Sequence, residues 1–105
     1  MPKQAEIKVL PSATGALAQL NAEERARFEQ ITALLRNNPM IGRPFGKDPT
    51  GRKLYQVSVQ SVHVIHAVQF RVWKDTVFVV RIEVAEWTPR HIELGYDPFD
   101  FRENP

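Results

Sequence analysis

From Lys53 onward the chain alternates. Tyr55, Val57 and Val59 are apolar and Gln56, Ser58 and Gln60 between them are polar, the period of two that sends successive side chains to opposite faces of a strand. A tight turn near Gln60-Ser61, a long strand from Val62 to Trp73, a turn at Lys74-Asp75 and a last strand from Thr76 to Val84 complete a meander. Ahead of it, Ala5, Ile7 and Val9 alternate in a short first strand that Pro11-Ser12 stops, with Ser12 placed to cap a short helix carrying Leu17 and Leu20. A second helix follows. Asn21 and Glu24 have the spacing of a capping box, Glu23 and Glu24 complement the positive end of the helix dipole, and Phe28, Ile31, Leu34 and Leu35 form its apolar stripe. Asn37-Asn38-Pro39 ends it, because the residue before a proline avoids the helical region.

Residues 39–52 hold three glycines and three prolines and read as a loop. The stretch from Trp87 onward, with Pro89, Gly95, Pro98 and Pro105, reads as an irregular acidic tail or lid. The expected fold is therefore α+β: two N-terminal helices packed on one face of a small, mostly antiparallel sheet of about four strands. Strict alternation in the long strand puts Val62, Val64, His66, Val68, Phe70 and Val72 under the helices. In the last strand it puts Phe78, Val80, Ile82 and Val84 there. His63, Gln69, Arg71, Arg81 and Glu83 are left on the uncovered face, where a groove could form.

At 105 residues the chain is one domain, 1–105, and its 43% hydrophobic and 25% charged content is that of a globular protein. There is no cysteine, which excludes disulfides, thiolate nucleophiles and cysteine-based metal sites. The longest uncharged run, Leu54 to Phe70, is 17 residues and carries polar side chains throughout, so it reads as two strands and no membrane contact is expected. With no export signal visible, the cytoplasm is the expected compartment.

Charge adds direction to this picture. The formal net charge is +2, but residues 1–35 sum to zero, 36–81 to +6 and 82–105 to −4. A basic middle suits a polyanion if folding gathers its cations on one face; otherwise it is a solvated surface.

The order of these elements resembles the RelE/ParE superfamily of toxins from type II toxin–antitoxin modules. The resemblance is carried by the opening strand into Leu10-Pro11-Ser12-Ala13, the long helix ending Leu34-Leu35-Arg36-Asn37-Asn38-Pro39, the loop Gly42-Arg43-Pro44-Phe45-Gly46 and the meander from Lys53 to Val84. It implies a toxin component that binds a cognate antitoxin. In the ribonuclease branch it implies a ribosome-dependent mRNA endoribonuclease that inhibits translation. The ParE branch would instead inhibit DNA gyrase without catalysis, and a degenerate, non-toxic protein-binding homologue is the third reading. The chain departs from the ribonuclease pattern in having His63 and His66 where an arginine and a tyrosine are common, and Ala85-Glu86-Trp87 where a His-Arg pair and a tyrosine are common.

Metal-free RNA cleavage needs a base for the ribose 2′-hydroxyl, cations for the phosphate and an acid for the leaving oxygen. The expected catalytic set is His63 as acid or base with Arg71 and Arg81 on the phosphate; the alternative for the arginines is pairing with Glu83. Lys47, Arg52 and Lys53 are assigned to nucleic-acid backbone contacts. Arg90 and His91 are tail residues that could fold back over the groove. His66, an odd number of residues from His63, faces the other way and reads as a hydrogen-bonded core histidine, so no metal or other cofactor is expected.

Overall fold

In a computed structural model that describes residues 4–60 and 64–86, the chain runs β1 (Glu6–Val9), α1 (Pro11–Gln19), α2 (Ala22–Asn37), β2 (Arg43–Lys47), β3 (Lys53–Gln60), β4 (Val64–Trp73) and β5 (Thr76–Glu86). The expected turn at Ser61, the start of the long strand at Val62 and the acidic tail lie outside the described residues. The strands form one five-stranded sheet in the order β1-β5-β4-β3-β2, antiparallel except for the β1–β5 pair. Among the described residues no helix is long and apolar enough to cross a membrane.

The capping box forms as its spacing requires. Glu24 N–H donates to Asn21 Oδ1 at 2.8 Å and Asn21 N–H donates to Glu24 Oε1 at 2.9 Å, which satisfies two of the donors a helix start leaves open. The buried stripe of α2 is Phe28, Ile31, Thr32 and Leu35, while Leu34 points outward and is 44% exposed. Positions 28, 31, 32 and 35 keep the i, i+3, i+4, i+7 spacing, and Leu34 lies off that line. Together with Ala13 of α1, this stripe meets Val68, Phe70, Val77, Val79 and Ile82 in the main core. Fully burying a side chain such as Phe70 contributes roughly 1.5–3 kcal/mol.

Besides Leu34, four expectations are corrected. The sheet has five strands, not four, because Arg43–Lys47 inside the Gly/Pro-rich segment pairs with β3. It can do so because it is an edge strand, where Pro44 need donate nothing to a further neighbour, and because the register slips between Pro44 and Lys47 around Gly46, whose φ is 77°. Gly42 leads into this strand over the ring of Phe70: a Cβ there would lie 2.5 Å from Phe70 Cζ.

Ser12 does not cap α1. Leu10 is the N-cap residue, Pro11 occupies the first turn, and the Ser12 hydroxyl donates instead to the Val80 carbonyl at 2.6 Å. The reason is the third correction. Gln69 opposes Arg81 but Phe70 opposes Val79, so Val80 is an extra residue in β5, a β-bulge. The bulge resets the alternation. Val77 and Val79, expected on the open face, lie under the helices and are 0% exposed, and Phe78 opposes Arg71 on the open face. Lastly, His66 is buried under the helices as expected, but its Nδ1 has no hydrogen-bond partner among the described residues.

Candidate nucleic-acid interface

The β2–β3 hairpin builds the first part of the site. Asp48-Pro49-Thr50-Gly51 is a turn with proline at its second position, and Gly51, at φ 86°, returns its N–H to the Asp48 carbonyl at 2.9 Å. Asp48 Oδ1 accepts from the Thr50 hydroxyl at 2.6 Å and from the Thr50 and Arg52 N–H groups, each at 2.9 Å. The Thr50 hydroxyl does most to hold this carboxyl below the usual carboxylate range, with smaller shares from the two N–H groups and the charge of Arg71. Oδ1 is thus occupied, and Oδ2 is left to face Arg71 Nη1 at 3.5 Å.

Arg71 rises from β4 on the open face. Its guanidinium lies 5.9 Å from the centre of the Phe78 ring, a position that the bulge creates by turning Phe78 to this side. Its Nε is buried with no acceptor among the described residues. Arg81 stands on the same face one step further along, opposite Gln69, so the two arginines occupy diagonal positions on neighbouring strands, about 7–8 Å apart at the backbone. Arg81 is ion-paired to Glu83, two residues on along the same face. Both proposed phosphate ligands therefore already face a carboxylate.

Between and beyond them the face changes character. Gln69 Nε2 donates to Gln56 Oε1 at 3.1 Å in a buried cross-strand pair. Further on, Phe45, Ile65 and Ala67 form a small apolar cluster with Leu54 and Ala85 beside it. The open face is thus basic at one end and apolar at the other. At the Arg71 end of the sheet, but with the parity of Tyr55 and so on the side away from Arg71, Lys47 and Lys53 stand directly opposite each other across β2 and β3, and neither meets a carboxylate among the described residues. Two like charges in that position repel, which favours an anion between or beside them. Arg52 is exposed next to Lys53.

The structure therefore places Arg71 and Arg81 on the open face of β4 and β5, and Lys47, Arg52 and Lys53 at the rim formed by the β2–β3 hairpin. His63, Arg90 and His91 lie outside the described residues. Two residues of the site went unassigned in the sequence. Asp48 could have been found, since Asp-Pro-Thr-Gly is a turn signature with the carboxylate at its first position. Phe78 could not, because nothing in Phe78-Val79-Val80-Arg81 marks a bulge.

No protein-family profile matches the chain, and no curated protein does either. Solved structures do match. A crystal structure of the isolated Escherichia coli RelE toxin aligns with a TM-score of 0.62 at 16% identity, covering 87% of this chain and 95% of that one. A free-state structure of a double arginine-to-alanine mutant of the same toxin aligns with a TM-score of 0.58 at 13% identity, covering 88% and 92% respectively.

Proposed function

We propose, from the fold that this chain shares with the RelE toxin, that it is the toxin of a toxin–antitoxin pair and cuts messenger RNA on the ribosome. The observation that supports this reading best is the pair of arginines on adjacent strands of an uncovered sheet face, within that fold. Arg71 and Arg81 would take the scissile phosphate by exchanging Asp48 and Glu83 for phosphate oxygens, since a planar guanidinium offers a paired donor edge to either. The carboxylates hold the arginines extended until the polyanion arrives. Lys47, Arg52 and Lys53 would hold the strand by its backbone, and His63 would supply the acid or base. A cognate antitoxin would silence the chain by covering the same cations with an acidic segment.

Purified ribosomes paused on a defined codon, incubated with the protein, are expected to yield cut mRNA, and His63→Ala combined with Arg81→Ala is expected to abolish the cut. Undiminished cleavage by the double variant would refute these roles. The gyrase alternative predicts the opposite pattern, with supercoiling blocked and translation intact.

A further inference from the structure

Strands β3 and β4 pair from Gln60↔Ile65 to Tyr55↔Phe70 and then part. β3 continues toward β2, where Lys53 opposes Lys47, and β4 continues along β5 as far as Trp73↔Thr76. The sheet forks here, and in the fork lies a cavity of about 570 Å³. Arg52, Lys53, Tyr55, Arg71, Trp73 and Phe78 line it, and Leu10 and Val72 add to its apolar wall.

The lining combines two chemistries. Three of its side chains are cations; among the described residues only Arg71 of these faces a carboxylate, and its buried Nε still lacks an acceptor there. Three others are aromatic. Trp73 is 67% exposed, so its indole is accessible to a stacking partner. Lys74 Nζ approaches its ring at 5.9 Å, which leaves the second face for stacking. The volume lies within the range of about 300–1,000 Å³ common for small-ligand pockets, enough for one nucleotide and too little for a duplex.

We infer that this fork binds a single nucleotide unit, with the base stacked on Trp73 and the phosphate held by Arg52 and Lys53, either as a free nucleotide or as one residue of single-stranded RNA. The inference deepens the RNA reading above and rests on it for the choice of ligand. It also gives the Lys47–Lys53 repulsion a purpose, because a phosphate at the mouth of the fork would relieve it.

The test uses the full chain carrying Trp87→Phe, which leaves Trp73 as the sole tryptophan. Its fluorescence is titrated with adenosine 5′-monophosphate, adenosine, inorganic phosphate and a short single-stranded RNA. Saturable quenching is expected with the RNA, with the mononucleotide, or with both. Quenching by the RNA alone assigns the site to a unit within a strand, and quenching by both assigns it to free nucleotide as well. Arg52→Gln with Lys53→Gln is expected to weaken the phosphate-bearing ligands by at least about tenfold while adenosine is little changed. An unchanged melting curve shows that this variant folds. No quenching by either phosphate-bearing ligand up to millimolar concentration, or quenching unaltered in the folded double variant, overturns the inference. No ribosome enters the titration, so it can fail while mRNA cleavage stands, and the reverse.

Discussion

His66 illustrates how one side chain can shape stability without entering the chemistry. It faces the helices and is 5% exposed, so burial lowers its pKa below the ordinary histidine value; Arg27 adds to the lowering, and Glu24 and Glu23 partly oppose it. The sign follows from linkage: the unfolded chain takes up a proton at a pH where the folded chain resists it. Stability is therefore full above about pH 6.5 and declines as pH falls from there toward the lowered folded-state pKa. Urea unfolding in buffers on either side of about pH 6.5 is expected to show this loss in the parent protein and a flatter profile in His66→Leu. Equal slopes in the two proteins would remove His66 as the cause. The Asp48 pKa is lowered for a different reason: three hydrogen bonds favour its charged form, and its other oxygen turns a local turn into a contact with Arg71 on another strand.

Among the elements, β5 determines what the open face displays. Its bulge at Val80 allows Val77 and Val79 to face the core below it and Ile82 above it, and places Phe78 beneath the Arg71 guanidinium. The kink is tied to α1, because the Ser12 hydroxyl takes the Val80 carbonyl and the Leu10 N–H takes the Val79 carbonyl at 2.9 Å. Ser12→Ala is expected to lower the unfolding free energy by about 1 kcal/mol, the net value of one such hydrogen bond, and Ser12→Thr to restore most of it. Denaturant midpoints at constant m-value decide the matter. A Ser12→Ala protein as stable as its parent would mean that the bulge holds its shape without α1.

For the molecule as a whole, the charge asymmetry acquires a location. Apart from Arg36 on α2, the cations of the middle segment lie on or beside β2 to β5, and three of them, Lys47, Arg52 and Lys53, cluster where β3 begins. Single-strand affinity should therefore fall with salt at a logarithmic slope of about −0.7 per phosphate contacted. Fluorescence anisotropy of a short RNA over a potassium chloride series is expected to show each of these residues, replaced by alanine, reducing that slope by about 0.7. Slopes that ignore all three replacements would place the RNA elsewhere on the surface.

Local rules in the sequence determined what local physics governs. The capping box of α2, its end before Pro39, the alternation of β3, the hairpin at Lys74-Asp75 and the order of elements all follow from neighbours within a few residues of one another. That Arg71 and Arg81 share the open face was legible for the same reason, since alternation along each strand sets which side a residue takes. Only the tertiary structure decided the rest. A strand rich in proline and glycine is admissible at an edge and nowhere else, and whether a segment is an edge depends on a neighbour distant in sequence. A bulge in an apolar strand costs little locally and is selected by how α1 and the two neighbouring strands, β1 and β4, pack against it. The fork exists because β3 and β4 each follow a different partner past Phe70.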